Sequence, residues 1–169
     1  MRIQKKRIKD SPFHYSVATR VRIPYLKRYL DLRPGDRVLD VGCGVGYFTR
    51  LIQEKGVDAL GIDVDSEAVT AATQYTVAHF ALGSIDQLPL GDSTFDKVIC
   101  SEVLEHVADD AKAVSEICRV AKEGATVMVT VPCTEGVFGS RIKSICHNEE
   151  GGNGWEHHQR EGYTKKQLR

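Results

Sequence analysis

Three absences narrow the class of protein before any motif is considered. The 169 residues contain five Cys residues and no C-x-x-C pair, an odd and widely spaced set that argues against a disulfide scaffold or a zinc ribbon. No apolar run is long enough to span a bilayer, and no signal-peptide pattern opens the chain. We therefore expect a cytoplasmic protein, with one domain large enough to bury a core.

An excess of charge of one sign is also missing, because 23 Lys and Arg residues balance 23 Asp and Glu residues. Global electrostatics therefore favours neither nucleic acid nor an anionic membrane as a partner. Basic residues cluster in residues 1–9, where a solvated terminus is preferred to a basic arm. A helix over residues 16–30, kinked or interrupted at Pro24 and packed near the ligand mouth, is predicted from the helical spacing of Val17, Val21, Tyr25, Leu26 and Tyr29.

A glycine-rich stretch at residues 38–48, VLDVGCGVGYF, organises the rest of the chain. An apolar run with one acid, Asp40, that breaks into alternating glycines is typical of a buried parallel strand, a tight turn and a helix N-terminus. Such a turn lets a ligand approach the backbone and receives negative charge. The G-x-G-x-G spacing, followed by Tyr47, departs from a dinucleotide fingerprint, and the Gly-Lys-Ser/Thr ending of a P-loop is missing.

Apolar segments of strand length alternate with segments of helical periodicity along the chain. Strands are predicted at residues 38–41, 57–63, 77–82, 95–100 and 125–131, the last after a turn at Glu123-Gly124. Helices are predicted up to Gly56, after Asp65 or Ser66, and after Asp109 or Asp110, the last with a core face of Ala113, Val114, Ile117 and Val120. This alternation predicts an α/β fold, doubly wound, with a mostly parallel sheet and helices on both faces.

Asp63 ends the second predicted strand, about seventeen residues beyond Gly46. Ligands of open α/β sheets bind outside the carboxyl ends of the strands, at the topological switch point. A carboxylate there can accept both hydroxyl protons of a ribose diol, and Asp65 or Ser66 remains available to cap the next helix. The residues alone thus predict an adenosine-type ligand and leave a dinucleotide as one alternative.

Five segments, at residues 38–48, 61–63, 83–90, 95–99 and 104–107, resemble successive motifs of the class I S-adenosylmethionine-dependent methyltransferases. Their order and spacing, over about residues 35–133, are similar to those of the type 11 and ubiquinone-biosynthesis members. The resemblance implies a Rossmann-like fold and S-adenosyl-L-methionine as cofactor, with S-adenosyl-L-homocysteine as product. It also implies transfer of the methyl group to a small-molecule or lipid-like acceptor by direct in-line displacement.

The resemblance further assigns roles to residues. Asp40 and the backbone of residues 42–46 would face the methionine end, and Asp63 would bind the ribose. Relatives often have an acid directly after the glycine of the adenine segment, so either Ser84 or Asp86 meets the adenine amino group. The implied cofactor-binding set is Asp40, Gly42, Cys43, Gly44, Gly46, Asp63, Val64, Ser84, Ile85, Asp86, Cys100 and Ser101, the last two beside the sulfonium.

The acceptor side offers one candidate base and one alternative metal site. Methyl transfer from a sulfonium depends mainly on alignment, but an oxygen acceptor often needs a base. His106 is the preferred candidate base, and His157 and His158 are less favoured candidates. If residues 102–106 are helical, Glu102, Glu105 and His106 share one face, which would allow metal-assisted O-methylation with a divalent cation. This E-x-x-E-H pattern resembles metal-dependent O-methyltransferases, but a metal-free edge of the site is preferred.

The expected division is an N-terminal basic arm and helix at residues 1–34 and an S-adenosylmethionine-binding domain at residues 35–169. The family's sheet normally ends with two further strands that residues after Leu168 cannot supply, so we expect a fragment of a longer protein. Two alternatives of other classes are an NAD(P)-binding oxidoreductase, disfavoured by the glycine spacing, and a non-catalytic cofactor-binding module. Nucleic acid is disfavoured as a partner because no basic stripe with interleaved aromatic residues is visible.

Overall fold

A five-stranded parallel sheet forms the centre of the computed structural model, which describes residues 17–132. The strands lie in the order β3-β2-β1-β4-β5, and every neighbouring pair is parallel. This confirms the predicted Rossmann-like, doubly wound sheet, whose switch point falls between β1 and β4. The strands are β1 (Arg37–Val41), β2 (Asp58–Asp63), β3 (His79–Leu82), β4 (Phe95–Ser101) and β5 (Ala121–Thr130). The basic residues 1–9, His157 and His158 lie outside the described residues, and the expected lack of the family's last two strands stays a prediction.

Four α-helices connect or precede these strands: α1 (Val17–Tyr29), α2 (Tyr47–Gln53), α3 (Ser66–Tyr75) and α4 (Asp110–Val120). The sequence offers two N-cap candidates for α3, Asp65 and Ser66, and two for α4, Asp109 and Asp110. In each helix the first candidate is the cap. Asp65 accepts hydrogen bonds from the backbone of residues 67 and 68, and Asp109 accepts one from that of residue 112. None of the helices in residues 17–132 has the length and apolar character needed to cross a membrane.

Helices cover both faces of the sheet because successive strand residues point to opposite sides. On one face, α1 and α2 bury Leu26, Leu30, Phe48 and Ile52 against Val38, Ala59 and Ile99. On the other face, α4 buries Ala113, Ile117 and Val120 against Leu39, Val41, Ile62 and Val98. Each fully buried aliphatic side chain contributes about 1.5–3 kcal/mol to folding. α1 packs in the same hydrophobic cluster as β1. The predicted division of the chain into two parts at residue 34 stays a prediction.

The apolar face predicted for α1 is correct at Leu26 but wrong at Val21, Tyr25 and Tyr29, and the helix runs without interruption through Pro24. Leu26 and Leu30 are buried, whereas Val21, Tyr25 and Tyr29 are 56%, 54% and 56% exposed. The helix is apolar on two sides, and only the side with the two leucines fits between β1 and α2. The two exposed tyrosine rings stack on each other, with their centroids 6.4 Å apart.

Two smaller expectations also fail. Val114 is 42% exposed rather than part of the core face of α4. β5 begins at Ala121, before the predicted start, because the register slips between Phe95 and Lys97 of its partner β4. The predicted turn is therefore a bulge within the strand, where Gly124 adopts a φ of +74°.

Candidate cofactor and methyl-acceptor site

The glycine turn after β1 has a backbone that side chains would disturb. Gly42 and Gly46 have φ values of +70° and +76°, in the left-handed region that favours glycine. A Cβ atom on Gly42 would collide with the side chain of Val103, and one on Gly46 would collide with the ring of Phe80. At Gly44, by contrast, a Cβ atom would meet nothing within 4 Å. The turn is therefore packed at its two ends and open in the middle.

Asp63, at the carboxyl end of β2, is bound directly to this turn. Its Oδ2 accepts a hydrogen bond of 2.6 Å from the backbone N–H of Gly44, and its Oδ1 accepts one of 2.9 Å from that of Asp65. The side chain thus has a fixed orientation. Because each carboxylate oxygen can accept more than one hydrogen bond, Asp63 can still receive ligand hydroxyl groups.

A cavity of about 330 Å³ lies beside Asp63 at the carboxyl edge of the sheet, within the range of small-molecule sites. It is lined by Val41, Gly42, Asp63, Val64, Gly83, Ser84, Ile85, Glu102, Val103, His106 and Val107. Six residues of the predicted site are among them: Gly42, Asp63, Val64, Ser84, Ile85 and His106. The other predicted residues, which do not line it, are Asp40, Cys43, Gly44, Gly46, Asp86, Cys100 and Ser101.

Asp40 lies beneath the turn rather than in the cavity. Its Oδ2 accepts hydrogen bonds from the backbone N–H of Thr49, at 3.0 Å, and from the Thr49 hydroxyl, at 2.6 Å. Burial raises the pKa of Asp40 to about 6, against the opposing effect of these hydrogen bonds. The contact ties the start of α2 to β1, and the role of Asp40 toward a cofactor stays a prediction.

The segment after β3 contains a buried acceptor without a partner. Ser84 and Ile85 line the cavity, and the backbone N–H of Asp86 points to the Ser84 hydroxyl at 3.4 Å. Oδ1 of Asp86 is buried and has no hydrogen-bond partner among the described residues. A buried acceptor of this kind is stabilised by a donor, so both Ser84 and Asp86 stay candidates for an adenine amino group.

The geometry assumed for the alternative metal site is wrong. Glu102 has a φ of +58°, and a short 3₁₀ helix begins only at Leu104, so the three side chains do not follow one helical face. Glu102 and His106 line the cavity, whereas Glu105 is only 1% exposed. Within residues 17–132, no group of three or more His, Cys, Asp and Glu residues is placed to hold a metal ion.

Glu105 is a second buried acid with an unpaired oxygen, because its Oε2 has no hydrogen-bond partner among the described residues. Burial raises the pKa of Glu105 to about 7; the negative charge of Glu102 adds to this effect and the positive charge of Arg22 opposes it. Burial also raises the pKa of the neighbouring Cys100 thiol to about 12. Cys100 is therefore an uncharged residue at neutral pH.

Arg22 is a residue of this region that the sequence did not reveal. Its Nη1 donates a hydrogen bond of 2.7 Å to Oγ of Ser101, and the Ser101 hydroxyl shares one of 2.8 Å with the Thr130 hydroxyl. The contact places α1 at the carboxyl end of β4, close to the predicted ligand mouth. No local pattern could reveal it, because the two residues are 79 positions apart.

Fold and cavity together define an α/β domain with a cavity at the switch point of its sheet, the position where ligands of such folds bind. The family model described as "Methyltransferase domain" matches residues 39–129. The chain belongs to this family, the class I S-adenosylmethionine-dependent methyltransferases.

Individual relatives agree with the family. Malonyl-[acyl-carrier protein] O-methyltransferase of Serratia marcescens is 35% identical over 96 residues, which are 56% of this chain and 38% of the relative. Ubiquinone biosynthesis O-methyltransferase of Methylococcus capsulatus is 34% identical over 113 residues, which are 63% of this chain and 47% of the relative. The chain thus spans less than half the length of these two relatives. The crystal structure of the PH0226 protein from Pyrococcus horikoshii OT3 is 29% identical, with a TM-score of 0.61 over 68% of this chain and 58% of that one.

Proposed function

We propose that this chain is a methyltransferase domain that binds S-adenosylmethionine and methylates a small-molecule or lipid-like acceptor. The observation that carries the proposal is the cavity at the switch point, where the glycine turn holds Asp63 by a hydrogen bond of 2.6 Å. The two relatives described above are named as O-methyltransferases, one of a malonyl-carrier protein and the other of ubiquinone biosynthesis. Those names support an acceptor of this kind and favour oxygen as the methylated atom.

The residues present fit the cofactor. Asp63 would accept the ribose hydroxyls, and the open side of Gly44 leaves room for the methionine end. The unpaired Oδ1 of Asp86 would accept a hydrogen bond from the adenine amino group, next to Ser84 and Ile85. The bound cofactor supplies a methyl group that its sulfonium has already activated.

The chain's own contribution is then alignment, exclusion of water and removal of a proton. Val103 packs on Gly42 and closes one side of the cavity. Cys100 and Ser101, at the end of β4, would lie beside the sulfonium. His106 lines the same cavity and would accept the proton of a hydroxyl acceptor, whereas a carbon or nitrogen acceptor does not always need a base.

Calorimetric titration with S-adenosylhomocysteine and with NADH tests the cofactor. We expect heat of binding from S-adenosylhomocysteine and none from NADH. Preference for NADH would instead identify an oxidoreductase and overturn the proposal.

Incubation with methyl-labelled S-adenosylmethionine and a panel of acceptors, with and without a chelator, then tests turnover. We expect label in the product in both conditions. Loss of turnover in chelator would support the metal-assisted alternative, and cofactor binding without turnover on any acceptor would support a non-catalytic module.

A further inference from the structure

We propose that the outer face of α1 binds the surface of an anionic lipid bilayer. The outer face consists of the exposed side chains among residues 21–29, which are Val21, Pro24, Tyr25, Lys27, Arg28 and Tyr29. The docking surface rests on the charges and the exposure of these residues and not on the proposed function.

The balanced net charge of the chain results from two segments of opposite charge. Residues 1–30 contain nine Lys and Arg residues and a single acid, Asp10, whereas residues 31–169 contain 14 Lys and Arg residues and 22 Asp and Glu residues. The first segment therefore has an excess of positive charge and the remainder an equal excess of negative charge. Such an asymmetry indicates that an anionic surface would attract the segment that contains α1.

The outer face of α1 has a continuous row of apolar and aromatic side chains. Val21, Tyr25 and Tyr29 follow one another at intervals of four residues and therefore lie on one side of the helix. Each is more than half exposed, and the two tyrosine rings stack on each other. Leu26 and Leu30 already attach the opposite side of the helix to the core. A contiguous exposed row of this kind marks an interaction surface, unlike a single exposed apolar residue.

Two exposed cations belong to the same face. Arg28 lies over the ring of Tyr29, at 5.6 Å from its centroid, and Lys27 is its neighbour in the chain. Neither Lys27 nor Arg28 is paired with an acid among residues 17–132, and α1 itself contains no Asp or Glu. An aromatic ring attracts a cation without neutralising it, so both charges are available to the phosphates of lipid headgroups.

The combination of these side chains fits a bilayer surface better than a nucleic acid. Tyrosine is enriched where hydrocarbon meets headgroups, and the long stems of Lys27 and Arg28 can lie along apolar surface while their charges stay in water. An RNA strand would use cations and aromatic rings, but it offers no apolar layer for Val21 and Pro24. A helix with cations beside apolar and aromatic residues is typical of binding in the plane of the interface.

Docking through α1 has a consequence for the orientation of the domain. An anionic surface repels the acidic remainder of the chain, so α1 would be the side that approaches it. Arg22 of the same helix donates a hydrogen bond of 2.7 Å to Ser101, at the carboxyl end of β4. The bilayer would thus lie close to the edge of the sheet where the cavity opens, from which a lipid-like acceptor would enter. This last consequence alone rests on the proposed function.

Co-sedimentation of the full chain with lipid vesicles tests the proposal. Vesicles of phosphatidylcholine alone are compared with vesicles of phosphatidylcholine and phosphatidylglycerol in equal parts. We expect binding to the anionic vesicles to be at least about tenfold tighter and to weaken as the salt concentration is raised. Equal binding to the two kinds of vesicle, or no binding to either, would overturn the proposal.

A pair of double variants separates the outer face from a general effect of charge. Lys27→Gln combined with Arg28→Gln should weaken binding to the anionic vesicles at least about tenfold. Lys112→Gln combined with Lys122→Gln is the matched control, because it removes the same charge from α4 and β5. Unchanged binding in the folded α1 variant, or equal losses in the two double variants, would contradict the proposal.

A matched pair of valines tests the apolar part of the surface. Val21 on α1 and Val114 on α4 are both exposed, by 56% and 42%. Val21→Ser should weaken vesicle binding about threefold, and Val114→Ser should leave it unchanged. The double variant Tyr25→Ser and Tyr29→Ser, which keeps all the cations, should weaken it further. Full binding in the tyrosine variant would contradict docking through this face.

Two further arms identify other occupants of the face. Binding of a single-stranded RNA oligonucleotide without binding of vesicles would identify a nucleic-acid surface and overturn the proposal. A dimer that the tyrosine variant dissociates, again without vesicle binding, would identify an interface between copies and overturn it as well. Asp63→Asn should retain vesicle binding, so a chain that binds vesicles but not S-adenosylhomocysteine would overturn the proposed function and not the docking surface.

Discussion

Two features of the structure favour glycine at position 42, its backbone conformation and the close approach of a neighbouring side chain. The φ of +70° at Gly42 disfavours any side chain, and a Cβ atom would meet Val103. We therefore expect Gly42→Ala to lower the free energy of unfolding by about 3 kcal/mol, as the sum of backbone strain and overpacking. Urea unfolding of the purified variants measures the loss.

The control for this prediction is Gly44→Ala, in the same turn. Gly44 also has a positive φ, +51°, but a Cβ atom there would meet nothing within 4 Å. Only backbone strain of about 1 kcal/mol is expected. Losses of equal size in Gly42→Ala and Gly44→Ala would show that Val103 does not pack on the turn as described.

Glu105 makes stability depend on pH in a direction that can be stated in advance. Its pKa is raised from 4.5 to about 7 by burial, so between these values the folded chain keeps a proton that the unfolded chain has lost. The free energy of unfolding should therefore fall as pH rises through this window, by on the order of 3 kcal/mol. Buried Asp40 acts in the same direction up to about pH 6.

Urea unfolding from pH 4.5 to pH 8 (roughly the window of the shifted group) measures this dependence. Glu105→Gln, which cannot ionise, should lose most of the decrease above pH 6 while the part due to Asp40 remains. Parallel pH profiles of the variant and the wild type would rule out Glu105 as the cause.

Motif residues could be placed from the sequence because a motif fixes them to the ends of predicted strands. Gly42, Asp63 and Ser84 are of this kind, and all three lie at the cavity, although their contacts to a cofactor stay predictions. Val103 and Arg22 could not be placed, because their positions depend on packing against residues distant in the chain.

At the scale of elements, α4 fixes the loop that follows residues 84–86. The guanidinium of Arg119 donates to the carbonyl oxygens of Leu90, at 2.8 Å, and Leu88, at 3.0 Å. It also binds the carboxylate of Glu116, which in turn accepts the backbone N–H of Leu88 at 2.8 Å. Two side chains of α4 therefore hold three backbone groups of the loop.

We expect Arg119→Lys to keep the charge but lose this fork. The free energy of unfolding should fall by about 1–2 kcal/mol, and amide hydrogen exchange should quicken in residues 86–92. Lys122→Arg, on the neighbouring β5, serves as the control because Lys122 binds Asp96, at 2.8 Å, which lies outside this loop. Unchanged exchange in the loop of Arg119→Lys would contradict the role of this residue.

The position of a helix or strand could be predicted where its apolar pattern was compatible with only one secondary structure. All five strands lie where short apolar runs predicted them, to within a few residues except at the start of β5. The face of α1 was not predictable, because the helix carries an outer row with Tyr25 and Tyr29 and an inner row with Leu26 and Leu30. Only the packing of the whole domain determines which row is covered, and the same is true of Val114 on α4.

At the scale of the molecule, the site is a consequence of topology. Parallel strands place their carboxyl ends at one edge, and the order β3-β2-β1-β4-β5 leaves a crevice beside β1 where crossovers diverge. The glycine turn, Asp63 and the cavity residues Ser84 and Ile85 follow three successive strands at that edge. α1 adds Arg22 at the neighbouring strand end, where it donates a hydrogen bond to Ser101.

The most direct test of the central claim, that this edge binds an adenosine cofactor through Asp63, is calorimetric titration with S-adenosylhomocysteine of Asp63→Asn and Asp65→Asn. Asp65 caps α3 only two residues away, and Asn is an equally good cap, so this variant controls for local changes. We predict a loss of affinity of at least about tenfold in Asp63→Asn and none in Asp65→Asn. Unchanged affinity in a folded Asp63→Asn variant would contradict the claim.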